Sequence, residues 1–297
     1  MLDCETINTC TNNCIICAYR MMKRNKIIMP MERFEKVLHD YSEMGGGYLS
    51  LTPRGEVFLD PFLAKRVELL NKYPKIKGIS VTTNAVPIDR FSDEDLTRIL
   101  NSFNRIHISI YGLDCEEYRM MTQRDFYSKV VSNIKKITES ADRDRITFGF
   151  RLLKKHSEED LGEWIKNNFG IDDIFYSYTY TYTDWRGAFN DRALPFEGKW
   201  QERVPGKCHC LMPLVEGVVY SNGDVSFCPC TEFDIIEEFK LGNIDDQSLS
   251  ELFNSNKNRE LWSRLPETCL NCSYYRPITQ LSQYASAFQD PISLIGG

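Results

Sequence analysis

At 297 residues, 42% hydrophobic and 26% charged, the chain is too long for a minimal module and apolar enough to bury a large core; at roughly 150 residues per domain it should fold as about two units, or as one large domain with an appendage. Its 36 basic and 42 acidic residues leave a net charge of −6, which argues against nucleic-acid binding, and no run of about 18 apolar residues offers a membrane span. The opening MLDCETINTC lacks the basic stretch and apolar core of a signal peptide, so a cytoplasmic location is expected.

In chain order, residues 2–8 form a weak strand candidate, followed by strands at 47–52, 77–83, 105–111, 146–153 and 171–182. Helical patterns lie between them at 30–44, 61–73, 92–103, 126–139 and 157–168, with Ser92 a good N-cap and Pro30 and Pro61 suited to first turns. Strand–helix alternation through six strands predicts an α/β fold, a parallel sheet with crossover helices. Six units over about 185 residues suit a partial (β/α)6 TIM-like barrel better than a closed eightfold one. We place this barrel at 1–187. Residues 188–209, with Pro195, Gly198, Pro205 and Gly206, read as a linker. Residues 210–297 read as a small cysteine-rich domain: a hairpin at 214–228 turning on Ser221-Asn222-Gly223-Asp224, a helix at 248–264, and Cys269 and Cys272.

Eleven cysteines, an odd number, in a chain without an export signal do not read as a disulfide framework. They gather at the two ends, which points to metal. Cys10-Thr-Asn-Asn-Cys14-Ile-Ile-Cys17 puts three thiolates on one loop after the first strand. That set can wrap one corner of a [4Fe–4S] cubane and leave one iron open. A zinc knuckle short of its fourth ligand, or plain buried cysteines, is the competing reading; the nearest histidine, His39, falls in a predicted helix. At the other end, Cys210, Cys228, Cys269 and Cys272 supply four thiolates, suited by spacing to zinc or to a second [4Fe–4S] cluster, with Cys208 and Cys230 as alternative ligands.

The Cys10/Cys14/Cys17 spacing resembles the signature of the radical SAM superfamily, and the resemblance extends in order over residues 3–185. It implies that the open iron binds S-adenosylmethionine, whose reductive cleavage gives a 5′-deoxyadenosyl radical that abstracts a substrate hydrogen. Glu56 of Arg54-Gly55-Glu56 matches the carboxylate that holds the S-adenosylmethionine ammonium, although Arg54 departs from the family's Gly-Gly-Glu. Asn84 of Thr83-Asn84 matches the end of the third strand, with Ala85 where the family often has glycine. Ser109 and Arg151 match polar positions for ribose and carboxylate, Ile16 lies where the adenine is flanked, and Tyr19 could supply the aromatic ring that Ile16 lacks. The Cys210–Gly223–Cys228 spacing, Leu241-Gly242-Asn243-Ile244 and the closing Cys269-x-x-Cys272 resemble the SPASM extension of that family, in its shorter "twitch" form with one auxiliary iron–sulfur cluster; this implies two [4Fe–4S] clusters.

The compact layout resembles dehydrogenases that oxidise an aminocyclitol, 2-deoxy-scyllo-inosamine. This implies a two-electron oxidation of an aminocyclitol or sugar, with the auxiliary cluster as electron acceptor and a flavodoxin or ferredoxin as reductant. Arg151, Asp184, Glu232 and Arg186 are the candidates for a base near the reacting carbon. Thr and Tyr alternate over 176–183, so one face could line a polar cavity. A peptide maturase or epimerase is the alternative, with a spare thiol as hydrogen donor in the epimerase case; the absence of a large N-terminal extension weakens the maturase reading. A non-catalytic zinc-binding protein is the third.

Overall fold

A computed structural model gives the fold and describes residues 1–280 except 52, 53, 186, 190, 191, 204, 205, 207 and 230–233. The first half runs β1 (Leu2–Cys4), α1 (Met31–Glu43), β2 (Gly47–Ser50), α2 (Leu63–Leu70), β3 (Ile76–Thr83), α3 (Asp93–Asn101), β4 (Arg105–Ile110), α4 (Cys115–Thr122), α5 (Tyr127–Ser140), β5 (Ile146–Arg151), α6 (Glu158–Phe169) and β6 (Phe175–Thr179). After it come β7 (Thr181–Tyr182), β8 (Lys199–Trp200), α7 (Met212–Val215), β9 (Gly217–Val219), β10 (Asp224–Ser226), β11 (Lys240–Asn243), α8 (Leu249–Phe253) and α9 (Asn256–Ser263).

Strands β1 to β6 lie side by side and parallel, the partial barrel that the alternation predicts. In β4 all but Arg105 are buried, with Ile106, Ile108 and Ile110 alternating with the buried polar residues His107 and Ser109. The helices cover the outside through one apolar stripe each. In α3 that stripe is Leu96, Ile99 and Leu100, and Ser92 starts the helix by accepting from the Asp95 backbone N–H at 3.1 Å. The sheet does not stop at β1. Its order is β11-β10-β9-β1-β2-β3-β4-β5-β6, so the C-terminal hairpin continues the barrel sheet, β9 pairing in parallel with β1. The hairpin turns where Asn222-Gly223 predicts; Gly223 has φ +90°, and a Cβ there would stand 2.6 Å from the Asn243 Oδ1.

Four elements differ from expectation. Helix α4 was not predicted, because Gly112-Leu-Asp reads as a loop and the helix has only eight residues; its signal is Asp114, which accepts from the Glu117 N–H at 2.7 Å, followed by two glutamates in the first turn. The strand expected over 171–182 starts only at Phe175, after the adjacent Asp172 and Asp173, and the chain then leaves the sheet so that β7 pairs with β8 inside the stretch read as a linker. The hairpin is entered through the short helix α7, and the 248–264 helix is interrupted at 254–255, where Ser255 caps a new start at α9.

Charged groups tie the N-terminal loop to the hairpin. Glu5 is fully buried, accepts from both terminal nitrogens of Arg24 at 2.9 and 2.8 Å, and takes the Ser221 N–H and hydroxyl at 3.0 and 2.7 Å. Asp234 accepts from the backbone N–H groups of Lys23 and Arg24. Inside the barrel, His107 hydrogen-bonds Thr147 at 3.0 Å while its Nε2 has no partner among the described residues. Burial first, then Arg151 and Arg105, pushes its pKa down to about 3.

Two stability predictions follow from these groups. Glu5→Ala strands Arg24 and should cost about 3 kcal/mol in chemical denaturation, whereas Glu43→Ala, at the exposed pair with Lys75, should cost under about 0.5 kcal/mol. His107 stays neutral in the fold but takes a proton in the unfolded chain below its ordinary pKa of about 6.5. It therefore costs nothing above that pH and destabilises progressively as pH falls toward 3. Between pH 7 and 5.5, His107→Asn should lose about 1 kcal/mol less stability than the parent chain, read in denaturant titrations of the cluster-free protein.

Candidate active site

The carboxyl ends of the barrel strands open on a cavity of about 580 Å³, walled by the cysteine loop on one side and by β6, β7 and a C-terminal segment on the other. Cys10, Cys14 and Cys17 all line it. Their loop is held from below by α4, whose last turn accepts from it: Asn13 N–H to the Thr122 carbonyl at 3.0 Å and Ile15 N–H to Met121 at 2.8 Å. The Tyr19 hydroxyl accepts from the Cys10 N–H at 3.0 Å, so this ring braces the loop as well as lining the cavity. Ile16 lines the cavity too, and its carbonyl accepts from the Trp185 indole at 2.8 Å.

Donors surround the sulfurs. The Asn84 amide approaches the Cys10 sulfur at 3.5 Å, backbone N–H groups of Asn12 and Thr11 point to the same atom, and the Tyr111 hydroxyl hydrogen-bonds Cys14. Burial pushes the Cys10 thiol up to about 12, and Glu56 adds to the rise. Thiolates buried so deeply need bound cations, and N–H groups aimed at sulfur are what an iron–sulfur cluster uses to set its potential. The donor set therefore fits the cluster expected from the spacing. Among the described residues no three His, Cys, Asp or Glu side chains close on a single-ion geometry.

Glu56 sits beside this loop, 1% exposed, accepting from the Thr83 hydroxyl and the Asn84 N–H, both at 2.7 Å, and from the Phe58 N–H at 3.2 Å. Burial outweighs these donors and lifts its pKa to about 7. Gly55 must be glycine: φ is +83°, and a Cβ would lie 2.7 Å from the Ile7 carbonyl oxygen. Ala85 follows Asn84 with φ +60°, a left-handed conformation without glycine's freedom. Ser109 and Arg151, at the ends of β4 and β5, line the same cavity. Among the described residues no hydrogen-bonding group engages the Arg151 side chain.

The expected polar face over 176–183 is present as Thr179, Thr181 and Thr183, with Tyr182 also on the cavity because the chain kinks after β6. The candidate base Asp184 is not on the wall; it is 3% exposed and bound to the Arg203 Nε at 2.6 Å. Glu232 and Arg186 lie outside the described residues. Sequence reasoning missed Tyr111, Trp185, Gln201, Tyr274 and Arg276, all on the wall. Trp185 and Tyr274 meet edge to face, 5.9 Å between centroids. No spacing marks such residues, because their meeting depends on tertiary approach.

The second cysteine set assembles below the C-terminal wall. Burial raises the Cys269 thiol, and so do Cys228, Cys210 and Cys272, so the four are neighbours. The Arg276 N–H reaches the Cys210 sulfur at 3.4 Å, while the Thr183 hydroxyl bonds Ser273, next to Cys272. Cys208 instead meets the Tyr275 hydroxyl, 3.2 Å from its sulfur, and Cys230 lies outside the described residues. Every cysteine among the described residues is a free thiol. No helix among the described residues is long and apolar enough to cross a membrane.

Comparison with known proteins places this geometry. The chain aligns over 74 residues, at 38% identity, with a cysteine-type anaerobic sulfatase-maturating enzyme of Clostridium perfringens, covering 24% of this chain and 18% of that enzyme. The curated relatives are matched over only 18 to 40% of their length. In fold, the chain is similar to the crystal structure of BtrN in complex with AdoMet and 2-DOIA, with a TM-score of 0.59, 15% identity and coverage of 94% of this chain and 93% of that one. It is also similar to anSMEcpe with bound AdoMet, with a TM-score of 0.57, 18% identity and coverage of 99% and 94%. The sequence pattern of an iron–sulfur cluster-binding domain, SPASM, matches residues 210–273, and that of the radical SAM superfamily matches residues 4–167, more than half of the chain. The chain therefore belongs to the radical SAM superfamily, and its cofactors are S-adenosylmethionine and two [4Fe–4S] clusters.

Proposed function

We infer that this radical SAM enzyme is an oxidoreductase that dehydrogenates a polyhydroxylated small molecule, an aminocyclitol or sugar, at a carbinol carbon. When bound, the first cluster and S-adenosylmethionine supply hydrogen-atom abstraction, and the second cluster supplies a sink for the electron left on the substrate. Cys10, Cys14 and Cys17 would hold the first cluster, and Cys210, Cys228, Cys269 and Cys272 the second. Four thiolates leave the second cluster no open iron for substrate, which favours electron transfer over substrate binding there. Glu56 would take the ammonium of S-adenosylmethionine, and Asn84 and Ser109 its ribose and carboxylate.

The observation that carries this reading is the wall opposite the cysteine loop. Thr181 offers a hydroxyl, Gln201 an amide and Trp185 with Tyr274 an aromatic surface, polar and aromatic groups of the kind that grip a sugar ring by its edge and face, while the neighbouring hydroxyls of Thr179 and Thr183 are held by the Thr181 carbonyl and by Ser273. The Arg151 guanidinium presents donors and no acceptor, so it orients a hydroxyl or carboxylate and does not serve as the base. Asp184 is engaged by Arg203, which leaves Glu232 as the acid–base candidate from the sequence. The cysteines on the cavity wall are those of the first set, so among the described residues no further thiol stands ready to return a hydrogen atom, which favours oxidation over epimerisation. A peptide substrate is the second reading, favoured by the likeness to the maturating enzyme and by the open edge strand β6, which exposes Phe175 and Tyr178. A cytoplasmic setting with a flavodoxin or ferredoxin as reductant suits either.

Anaerobic reconstitution should load about eight iron per chain. With deuterated aminocyclitols and sugars, label should pass from a carbinol carbon to 5′-deoxyadenosine as a ketone forms. Solvent deuterium entering an inverted carbon, or turnover of peptides alone, would overturn the dehydrogenase reading. Glu56→Gln should weaken S-adenosylmethionine binding at least tenfold, about 1.4 kcal/mol, by calorimetry on the loaded enzyme. A carboxyl with pKa about 7 must ionise to meet an ammonium, so parental affinity should fall between pH 7.5 and 6 while the Gln variant stays flat.

A further inference from the structure

Between Glu5 and Glu32 the chain carries no acid, and within that stretch Arg20, Lys23, Arg24 and Lys26 follow directly on the first cysteine set. In a chain of net charge −6 this is a local reversal of sign. Arg20 belongs to a short helical turn, Ala18–Met21, whose N-cap is Cys17 itself. Arg20, Lys23 and Lys26 are exposed, and none of the three side chains meets a carboxylate among the described residues. Arg24 is turned inward to Glu5. Asp234 touches the same loop but gives its oxygens to the backbone N–H groups of Lys23 and Arg24, so it fixes the backbone and leaves the Lys23 side chain exposed.

A further cation stands on the other flank of the cysteines. Arg124, exposed just after α4, donates from Nε to the Thr11 carbonyl at 3.3 Å, between Cys10 and Cys14. Its neighbour Asp125 is paired with Arg119. Exposed cations thus bracket the cysteine loop, with Met21, 37% exposed, as an apolar spot among them. The inner side of the loop faces the cavity, where S-adenosylmethionine and substrate go, and the cations lie on its solvent side. An electron from outside has to cross that solvent side. Charges gathered over the entry to a redox centre steer a partner of opposite sign and fix its orientation. Electron-transfer encounters bury little surface, under about 1,200 Å², so four cations around one apolar residue suffice to define such a face.

We propose that the surface formed by Arg20, Lys23, Lys26 and Arg124 over the first cysteine loop is the docking face for an acidic one-electron carrier protein, a flavodoxin or ferredoxin. The inference rests on the cluster assignment above and on no particular substrate.

The test is equilibrium binding of the reconstituted holoenzyme to an acidic flavodoxin, and in parallel to an acidic ferredoxin, by anaerobic calorimetry, with stopped-flow reduction of the first cluster by the same carriers. Arg20→Glu/Lys23→Glu/Lys26→Glu should weaken binding of the carrier that the parent binds at least tenfold and slow its electron delivery to a similar extent. Reduction and S-adenosylmethionine cleavage driven by dithionite, which needs no docking face, should stay within threefold of the parent. Raising salt from about 0.05 to about 0.5 M should weaken the parent at least tenfold and the triple variant less than threefold. Lys135→Glu/Lys136→Glu/Arg143→Glu makes the same change of charge on α5 and on the turn before β5, at the opposite end of the barrel from the cavity, and should bind within threefold of the parent. If the first triple variant does not load iron, the neutral set Arg20→Gln/Lys23→Gln/Lys26→Gln takes its place, with binding at least threefold weaker than the parent. Parental affinity in the variants of this face, an equal loss in the control, or no binding of either carrier to the parent at low salt would overturn the proposal. A parent that binds a carrier yet cleaves no S-adenosylmethionine under dithionite would refute the cluster assignment and not the docking face.

Discussion

A carboxylate as buried as Glu5 is stable only when its lone pairs are filled, and the groups that fill them come from both ends of the chain. Arg24 belongs to the segment following the first cysteine set, and Ser221 to the hairpin turn that leads to Cys228. The parallel pairing of β1 with β9 brings these ends to one edge of the sheet, and Glu5, next after β1, locks them. The same edge is tied further by Asp234 on the backbone of Lys23 and Arg24 and by Arg33 on Asp245 and the Ser221 carbonyl, and together these contacts hold the second cysteine loop where Arg54 and Arg276 reach it.

The cavity itself is built by division of labour along each strand. Outer positions bury apolar side chains under helices, and the carboxyl-end residues of β3, β4 and β5 deliver Thr83, Ser109 and Arg151 to one opening. The backbone is bent there only where chemistry requires it. Gly55 lets the chain pass against the Ile7 carbonyl so that the Glu56 N–H reaches Thr9 at 2.8 Å. Ala85 adopts a left-handed conformation at a cost of about 1 to 2 kcal/mol, repaid by the hold of Glu56 on Thr83 and Asn84.

Much of this was legible beforehand, for identifiable reasons. Period-two and period-3.6 patterns exposed the strands and helices of the barrel, and thiol spacing exposed the first ligand loop, because both are local. Glu56, Asn84 and Ser109 could be placed from their order at strand ends, and they meet at one cavity. Asp184 could not be judged, since its partner Arg203 lies nineteen positions away across an irregular stretch. The continuation of the sheet through β9, and with it the bridge from Arg54 to Pro229, depends on long-range parallel pairing that no local pattern encodes. Helix α4 was lost for the opposite reason: its signal, an aspartate cap and two glutamates, is so short that it passes for a turn.

The two-sided pairing of β1 also bears on how the molecule is made. Its inner neighbour β2 is available after some fifty residues of synthesis, but β9 emerges only when more than two hundred have left the ribosome. Until then one edge of the first strand is bare, and Glu5 and Arg24 wait for Ser221. A closing contact between residues so distant in the sequence is slow to form. The last hairpin to be made is thus the one that completes the hydrogen bonding of both the first strand and Glu5.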